Sequence, residues 1–287
     1  MWTYLGQNFL IDSKIKYYIF EKIQKLYTDL WCEALIEIGP GKGSITTLIH
    51  SISPNFFVIE KDETLIGKLT LKIDYLQLII WDVLDVDVEK LLQEKKLSPK
   101  KTLVVWNLPY YITSPILRKF FENGNQEFAG WIFMVQDEVG QKLRRDAKKK
   151  SYLRWLLNYA YDVTYLKWVP AKCFKPAPKV KSCLIQLTTK NEELCIEWDK
   201  FIAFLEMFAP FSRKTLWAIQ KMIQKKSDIQ RHNEKSKSYE NFHDVEVVSK
   251  LKIVKSVGWI KFIVPESLQK KRLEELTWKN LETILVR

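Results

Sequence analysis

The run Asn107-Leu108-Pro109-Tyr110 follows directly on an apolar stretch, TLVVW at 102–106. Pro109 has no N–H to give to a sheet ladder, so a strand must stop there. That strand ends in a carboxamide whose oxygen accepts a hydrogen bond from an amine, a turn fixed by proline, and a phenol ring with a face for stacking. An exocyclic amine of a nucleobase is a weak nucleophile because its lone pair is delocalised into the ring. Fixed acceptors for its protons favour a more tetrahedral nitrogen, and an aromatic face holds a base that has left its stack. These residue types suit methylation of such an amine.

A second constellation lies upstream. In EIGPGKGSIT, 37–46, an apolar run closes in Gly39, Gly41 and Gly43 and opens into a helical pattern. Glycines there let the backbone turn sharply and let a ligand lie against it. Glu60 ends the next apolar run, twenty-one residues after Gly39. That spacing suits a carboxylate taking both hydroxyls of a ribose. Asp82 ends the third run, in position for an adenine amino group. A nucleoside-containing cofactor is implied, and the G-x-G-x-G spacing disfavours a dinucleotide.

The elements that must position these groups are legible as alternation. Runs at 33–39, 55–61, 76–82, 102–107 and 130–136 are short and rich in Ile, Val and Phe; amphipathic segments at 44–52, 62–72, 86–97 and 114–123 separate them. Strand–helix repetition predicts an α/β fold with a mostly parallel sheet covered on both faces. Two later runs, near 157–168 and 180–189, read as strands, and KVKSCLIQLTT alternates as an antiparallel strand does. From about 191 apolar residues recur at helical spacing. The expected organisation is therefore a Rossmann-like catalytic domain at 1–190 and a small, mostly helical C-terminal domain at 191–287, with a loop at 227–245.

Charge points to a polyanion. The net charge is +12 and the pI about 9.3. The densest basic run, Lys142–Arg154, holds seven cations, among them Arg144, Arg145, Lys148, Lys149 and Lys150, against one acid, Asp146. Tyr152 and Trp155 interleave with it, as on a phosphate-contacting surface. The four cysteines form no C-x-x-C pair and the three histidines no H-E-x-x-H, so no metal is expected. No apolar window has the length of a membrane span, and no secretory signal is visible. A cytoplasmic, membrane-free monomer with reduced thiols is the expectation.

Six segments in order, GQNFLID (6–12), EIGPGKGSIT (37–46), VIEKD (58–62), NLPYYITSP (107–115), FMVQDEV (133–139) and FKPAPKVKS (174–182), resemble the ribosomal RNA adenine dimethyltransferase family that acts on the small subunit. The resemblance implies a class I methyltransferase fold, S-adenosylmethionine as cofactor, and two adjacent adenosines in the 3′-terminal hairpin of small-subunit rRNA, in an immature subunit, as substrate. It implies that Asn8 and Leu10 close over the cofactor, with Gly39 at its methionine part, Glu60 at its ribose and Asp82 at its adenine, and with Gly41 and Asn107 also among the residues that bind it. Asn107 and the carbonyl of Leu108 hold the target amine; Tyr110 and Phe174 sandwich the target base. Large-subunit methyltransferases of the macrolide-resistance type share much of this pattern, but YITSP and FKPAPKVKS favour the small-subunit branch. A non-catalytic assembly or transcription factor on the same fold is the other alternative; the intact Glu60, Asp82, Asn107 and Tyr110 argue for an enzyme. DNA adenine methyltransferases usually have a second proline where Leu108 stands.

The composition holds one anomaly. There are 11 Trp and 9 Gly, together 20, about the glycine count expected at roughly 7% usage. In the resembled family the positions of Trp81 and Trp106, just before Asp82 and Asn107, are commonly glycine, and that of Trp217 is often small. The reading that joins these facts is that several tryptophans stand at UGA codons that the source reads as glycine, and that indoles at 81 and 106 crowd the cofactor pocket.

Overall fold

The computed structural model describes residues 8–74, 77–107, 110–122, 128–144, 146–147, 151–190, 196–224 and 263–286. The chain divides into two units, 1–147 with 157–191, and 148–156 with 192–287.

The first unit carries strands β1 (Phe9–Leu10), β2 (Ala34–Ile38), β3 (Asn55–Glu60), β4 (Leu78–Ile80), β5 (Thr102–Trp106), β6 (Gly130–Gln136), β7 (Tyr161–Val169), β8 (Phe174–Lys175) and β9 (Ser182–Thr189). Seven of them form one sheet in the order β4-β3-β2-β5-β6-β9-β7. Neighbours from β4 to β6 pair in parallel, and β9 runs antiparallel to both β6 and β7. The sheet is thus mostly parallel with a single reversed strand. β2 and β5 are buried along their whole length, as befits central strands covered on both faces.

The two faces bury different materials. Against one lies helix α1 (Ser13–Asp29), whose Ile15, Ile19, Ile23 and Leu26 recur at helical spacing and pack with Leu35, Val58, Val105 and Met134. The Asp12 side chain starts this helix by accepting the N–H of Ile15 at 2.9 Å. The other face is aromatic. Trp106 stacks on Phe133 at 4.3 Å between ring centroids and meets Trp131 edge-on at 5.4 Å, with Phe120, Phe121 and Phe128 around Trp131.

The run expected as a strand at 157–168 divides. Residues Tyr152–Ala160 are helix, and the strand is Tyr161–Val169. Its two polar residues, Arg154 and Asn158, stand four apart as a helix spaces them, but both are buried among apolar neighbours and the helix runs directly into the strand, so the two elements read as one apolar run. In the second unit, helices Trp198–Phe208 and Trp278–Leu285 bury Phe201, Phe204, Phe208, Leu281 and Ile284, and Trp155 meets Trp278 edge-on at 4.8 Å. Thr277 and Asn280 cap the last helix reciprocally. The expected loop at 227–245 lies outside the described residues. Among those described, no helix is long and apolar enough to cross a membrane.

Helix α1 closes in a way that bears on the tryptophan anomaly. The Cys32 N–H bonds the Tyr27 carbonyl at 3.0 Å and the Trp31 N–H bonds that of Thr28 at 3.1 Å. This pair of bonds requires a left-handed residue at 31, the position glycine most often fills. Trp31 has φ 52 and is 85% exposed, so its indole gains almost nothing by packing. Lys96 takes the same conformation after Val88–Glu94. Left-handed backbone costs a side-chain-bearing residue about 1–2 kcal/mol, partly offset by the freer unfolded chain of glycine. Trp31→Gly is therefore expected to raise the midpoint of thermal unfolding by about 2–4 °C, measured by calorimetry. A UGG codon at position 31 would end the glycine-codon reading there without touching this expectation.

Candidate functional site

In an open α/β sheet, ligands bind beyond the carboxyl ends of the strands where the strand order reverses. Here the reversal falls between β2 and β5. A cleft opens there, and Asn8, Gly39, Gly41, Glu60, Asp82 and Asn107 all line it. Residues scattered over a hundred positions of sequence are brought to one place because β2, β3, β4 and β5 end side by side.

Glu60 organises the cleft. Its carboxylate accepts the Gly41 N–H at 3.0 Å and the Asp62 N–H at 2.8 Å. The glycine turn is thereby tied to the end of β3. Burial pushes the Glu60 carboxyl above its ordinary range, while the N–H groups of Asp62 and Gly41 favour the charged form. Each oxygen keeps acceptor capacity for a further donor. Gly41 has φ 60, and a Cβ there would stand 3.0 Å from the Phe9 ring. The Lys72 ammonium closes the turn from the other side, donating to the carbonyl of Lys42 at 2.8 Å.

Asp82 is fixed differently. Its Oδ1 accepts the Leu84 N–H at 2.9 Å, and its Oδ2 meets the Lys61 ammonium at 2.6 Å. Burial works to raise this carboxyl, but Lys61, the Leu84 N–H and the charge of Lys119 outweigh it and hold it below its ordinary range. Lys61 and Tyr111 also line the cleft, and neither stands out from the sequence. The signal for Lys61 lay in VIEKD, directly after Glu60; Tyr111 was masked by its neighbour Tyr110.

The N-terminal segment is held in place by the segment expected to meet the target base. β1 pairs antiparallel with β8, Leu10 opposite Phe174, and the Cys173 carbonyl accepts the N–H groups of Ile11 and Asp12. Phe174 is 3% exposed within the core, so one of the two aromatic faces expected to sandwich the adenine is covered in this structure. The strand pairing draws Phe174 in beside Leu10. The Tyr110 hydroxyl is held by Ser182 Oγ. Leu108 and Pro109 lie outside the described residues, as do Arg145, Lys148, Lys149 and Lys150. Arg144 is engaged within the chain: both its Nε and Nη2 reach the Asp146 carboxylate, at 2.9 and 2.8 Å.

Trp81 lines the cleft and is 60% exposed, whereas Trp106 is buried in the aromatic face of the sheet. The indole at 81 thus stands at the cleft, and the expected crowding at 106 is corrected, because that indole points away into the core. Among the described residues no cluster of His, Cys, Asp and Glu is built to hold a metal ion.

Comparison with known proteins places the chain in a family. Residues 2–262 match the model described as ribosomal RNA adenine dimethylase. Ribosomal RNA small subunit methyltransferase A of Clostridium acetobutylicum is 33% identical over 231 residues, covering 78% of this chain and 80% of that protein. The protein of the same name from Chlorobium phaeobacteroides is 35% identical, covering 74% and 78%. Among solved structures, a dimethyladenosine transferase from Plasmodium falciparum superposes with a TM-score of 0.62 at 20% identity over 96% of each chain. The 23S rRNA methyltransferase ErmE does so with 0.57 at 19%, over 98% of this chain and all of that one. The fold is that of the class I methyltransferases.

Two glycines separate the demands of the turn from those of a helix. Gly41→Ala is expected to lower the thermal midpoint by about 2–5 °C, since a side chain at φ 60 costs about 1–2 kcal/mol. Gly67→Ala, in the helix Ile66–Leu69 with nothing within 4 Å of the new methyl, is expected to leave it unchanged or higher. Equal effects in the two variants, read in one calorimetric series, would mean that the turn does not depend on Gly41.

Proposed function

The chain belongs to the ribosomal RNA adenine dimethylase family, and from that premise we propose that it transfers methyl groups from S-adenosylmethionine to N6 of two adjacent adenosines in the 3′-terminal hairpin of small-subunit rRNA. The observation that carries the reading is the meeting, in one cleft, of the glycine turn, Glu60, Asp82 and Asn107. The donor set fits the cofactor: an anchored carboxylate with acceptor capacity for ribose hydroxyls, a second for an amine, and backbone at Gly39 free of side chain. The cofactor supplies a methyl group activated on a sulfonium.

The protein's own part is positioning. Asn107 offers its carboxamide oxygen, and Leu108 its carbonyl, to the two protons of the target amine. Both acceptors favour a tetrahedral nitrogen with its lone pair directed at the methyl. When the methyl is taken up, the nitrogen would release one proton per round, and these acceptors would hold it in place meanwhile. Tyr110, anchored through its hydroxyl on Ser182, offers a ring face to the base. Phe174 joins it when base binding draws the β8 segment outward. A second round requires room for an amine that already carries one methyl. The basic run at 142–154 lies along the RNA backbone, the 191–287 region adds ribosome contacts, and the acting form is a cytoplasmic monomer on an immature small subunit.

Labelled cofactor incubated with unmodified small subunits should place label on two adjacent adenosines near the 3′ end. Label confined to large-subunit rRNA would favour the macrolide-resistance type of activity instead. Asn107→Ala is expected to lower the rate of transfer by about two to three orders of magnitude, comparable to losing one preorganised hydrogen bond of about 3–4 kcal/mol, with cofactor affinity within a few-fold. Near-normal turnover would remove Asn107 from the role. For the basic run, Lys148, Lys149 and Lys150 changed together to Glu should reduce the slope of log K against log salt by about 0.7 for every phosphate no longer neutralised. An unchanged slope in RNA-binding titrations would leave this run as a solvated surface.

A further inference from the structure

One buried acid lies beneath the cleft and takes no part in lining it. Glu37, on β2, is 4% exposed, and its Oε2 has no hydrogen-bond partner. The hydroxyl of Thr46, fully buried beside it, is near enough to favour the charged carboxyl but makes no hydrogen bond of normal geometry. A buried polar atom left unmatched costs about 1–3 kcal/mol, so such an arrangement calls for a reason.

The sheet register supplies one. Glu37 stands opposite Val105, and Ile38 opposite Trp106. Side chains alternate along a strand, so Glu37, Val105 and Asn107 share the α1 face while the Trp106 indole takes the other. On that shared face lies a cavity of about 20 Å³, lined by Glu37 and Asn107 and walled by Ile19, Ile23, Val105 and Met134. That is room for one water. No described residue holds the Asn107 carboxamide by its side chain.

A carboxamide has an acceptor end and a donor end. With its NH2 toward the cleft, Asn107 would meet the protons of the target amine with protons of its own. Something must turn the oxygen outward. We propose that Glu37 is a positioning residue for Asn107: through one water in this cavity its carboxylate takes up the carboxamide N–H, and the Asn107 oxygen is thereby directed at the incoming amine. This rests on the reading of Asn107 as the amine's acceptor.

The proton state of Glu37 then matters. Burial pushes its carboxyl up to about 7; the Thr46 hydroxyl and the Lys72 ammonium oppose that, and the Glu60 carboxylate adds to it. Ionised, Glu37 is acceptor-only and sets the amide correctly. Protonated, it can donate through the water to the amide oxygen and turn the wrong end outward. Transfer should therefore rise with pH through about 7. The histidine near this site is His50, whose Nδ1 meets the Thr46 carbonyl at 3.2 Å.

Single-turnover methylation of unmodified small subunits, followed from about pH 6 to about pH 8.5, tests this. Wild type should show the rise; Glu37→Gln, nearly isosteric and without a proton to lose, should turn over at a reduced and pH-independent rate. Glu37→Leu should lose about 10-fold or more in kcat, with cofactor affinity within about two-fold, and His50→Gln should keep the rise. A Glu37→Gln enzyme with the wild-type pH rise, or a Glu37→Leu enzyme as fast as wild type, would overturn the inference while the functional reading stands. Wild type that labels no adenosine would overturn both.

Discussion

The cleft depends on one carboxylate that bonds two backbone N–H groups. Glu60, at the end of β3, reaches across to the Gly41 N–H and back to that of Asp62. The glycine turn after β2 has left-handed backbone at three positions and little side chain to pack. A bond within it, from the Gly43 N–H to the Pro40 carbonyl, and the Lys72 ammonium shape the loop; a charge-assisted bond from a buried acid ties it to β3, and such bonds are about twice as strong as neutral ones. The same acid is the one expected to meet a ribose. On the proposed reading, holding the turn and meeting the ligand are one function of one group, and the turn is set before the ligand arrives.

A second constraint joins the two ends of the reaction. β1 carries the segment expected to close over the cofactor, and β8 the segment expected to meet the target base; each is two residues long and each is the other's partner. Two-residue strands have little stability of their own. Their pairing is sustained by Leu10 and Phe174 packing into the core and by the Cys173 carbonyl serving two N–H groups. Phe174 is buried beside the segment that carries Asn8, so on the proposed reading cofactor closure and base presentation draw on one pair of strands.

How much of this was legible in the sequence follows from what each signal measures. The parallel sheet was, because buried strands of Ile, Val and Phe separated by amphipathic segments have few other solutions. Glu60, Asp82 and Asn107 were legible as residues that end strands, since strand ends in such a sheet converge. The helix at 152–160 was not: its polar Arg154 and Asn158 are buried, and it runs directly into a strand without a break. Lys61 does not stand out because an exposed lysine beside an acid looks like ordinary surface, and only the close approach to Asp82 gives it a place. The burial of Phe174 was likewise hidden, because it comes from a pairing between residues far apart in the chain, Leu10 and Phe174, that no local pattern announces.

The tryptophans show the same limit from the other side. Trp81 and Trp106 each directly precede a cleft residue, and sequence gives no reason to treat them differently. The pleat does. Trp106 alternates away from Asn107 into an aromatic layer with Phe133 and Trp131, where its bulk is absorbed although its Nε1 stays unpartnered. Trp81 follows the short strand β4, where no such layer receives it, and it stands exposed at the cleft. Trp31 occupies a left-handed helix end with its ring in solvent. Of these three, Trp31 alone occupies a place that the backbone shapes for a residue with no side chain, Trp81 stands open at the cleft, and Trp106 alone has been given a core to enter. Size alone could not separate them; which side of the strand each faces does.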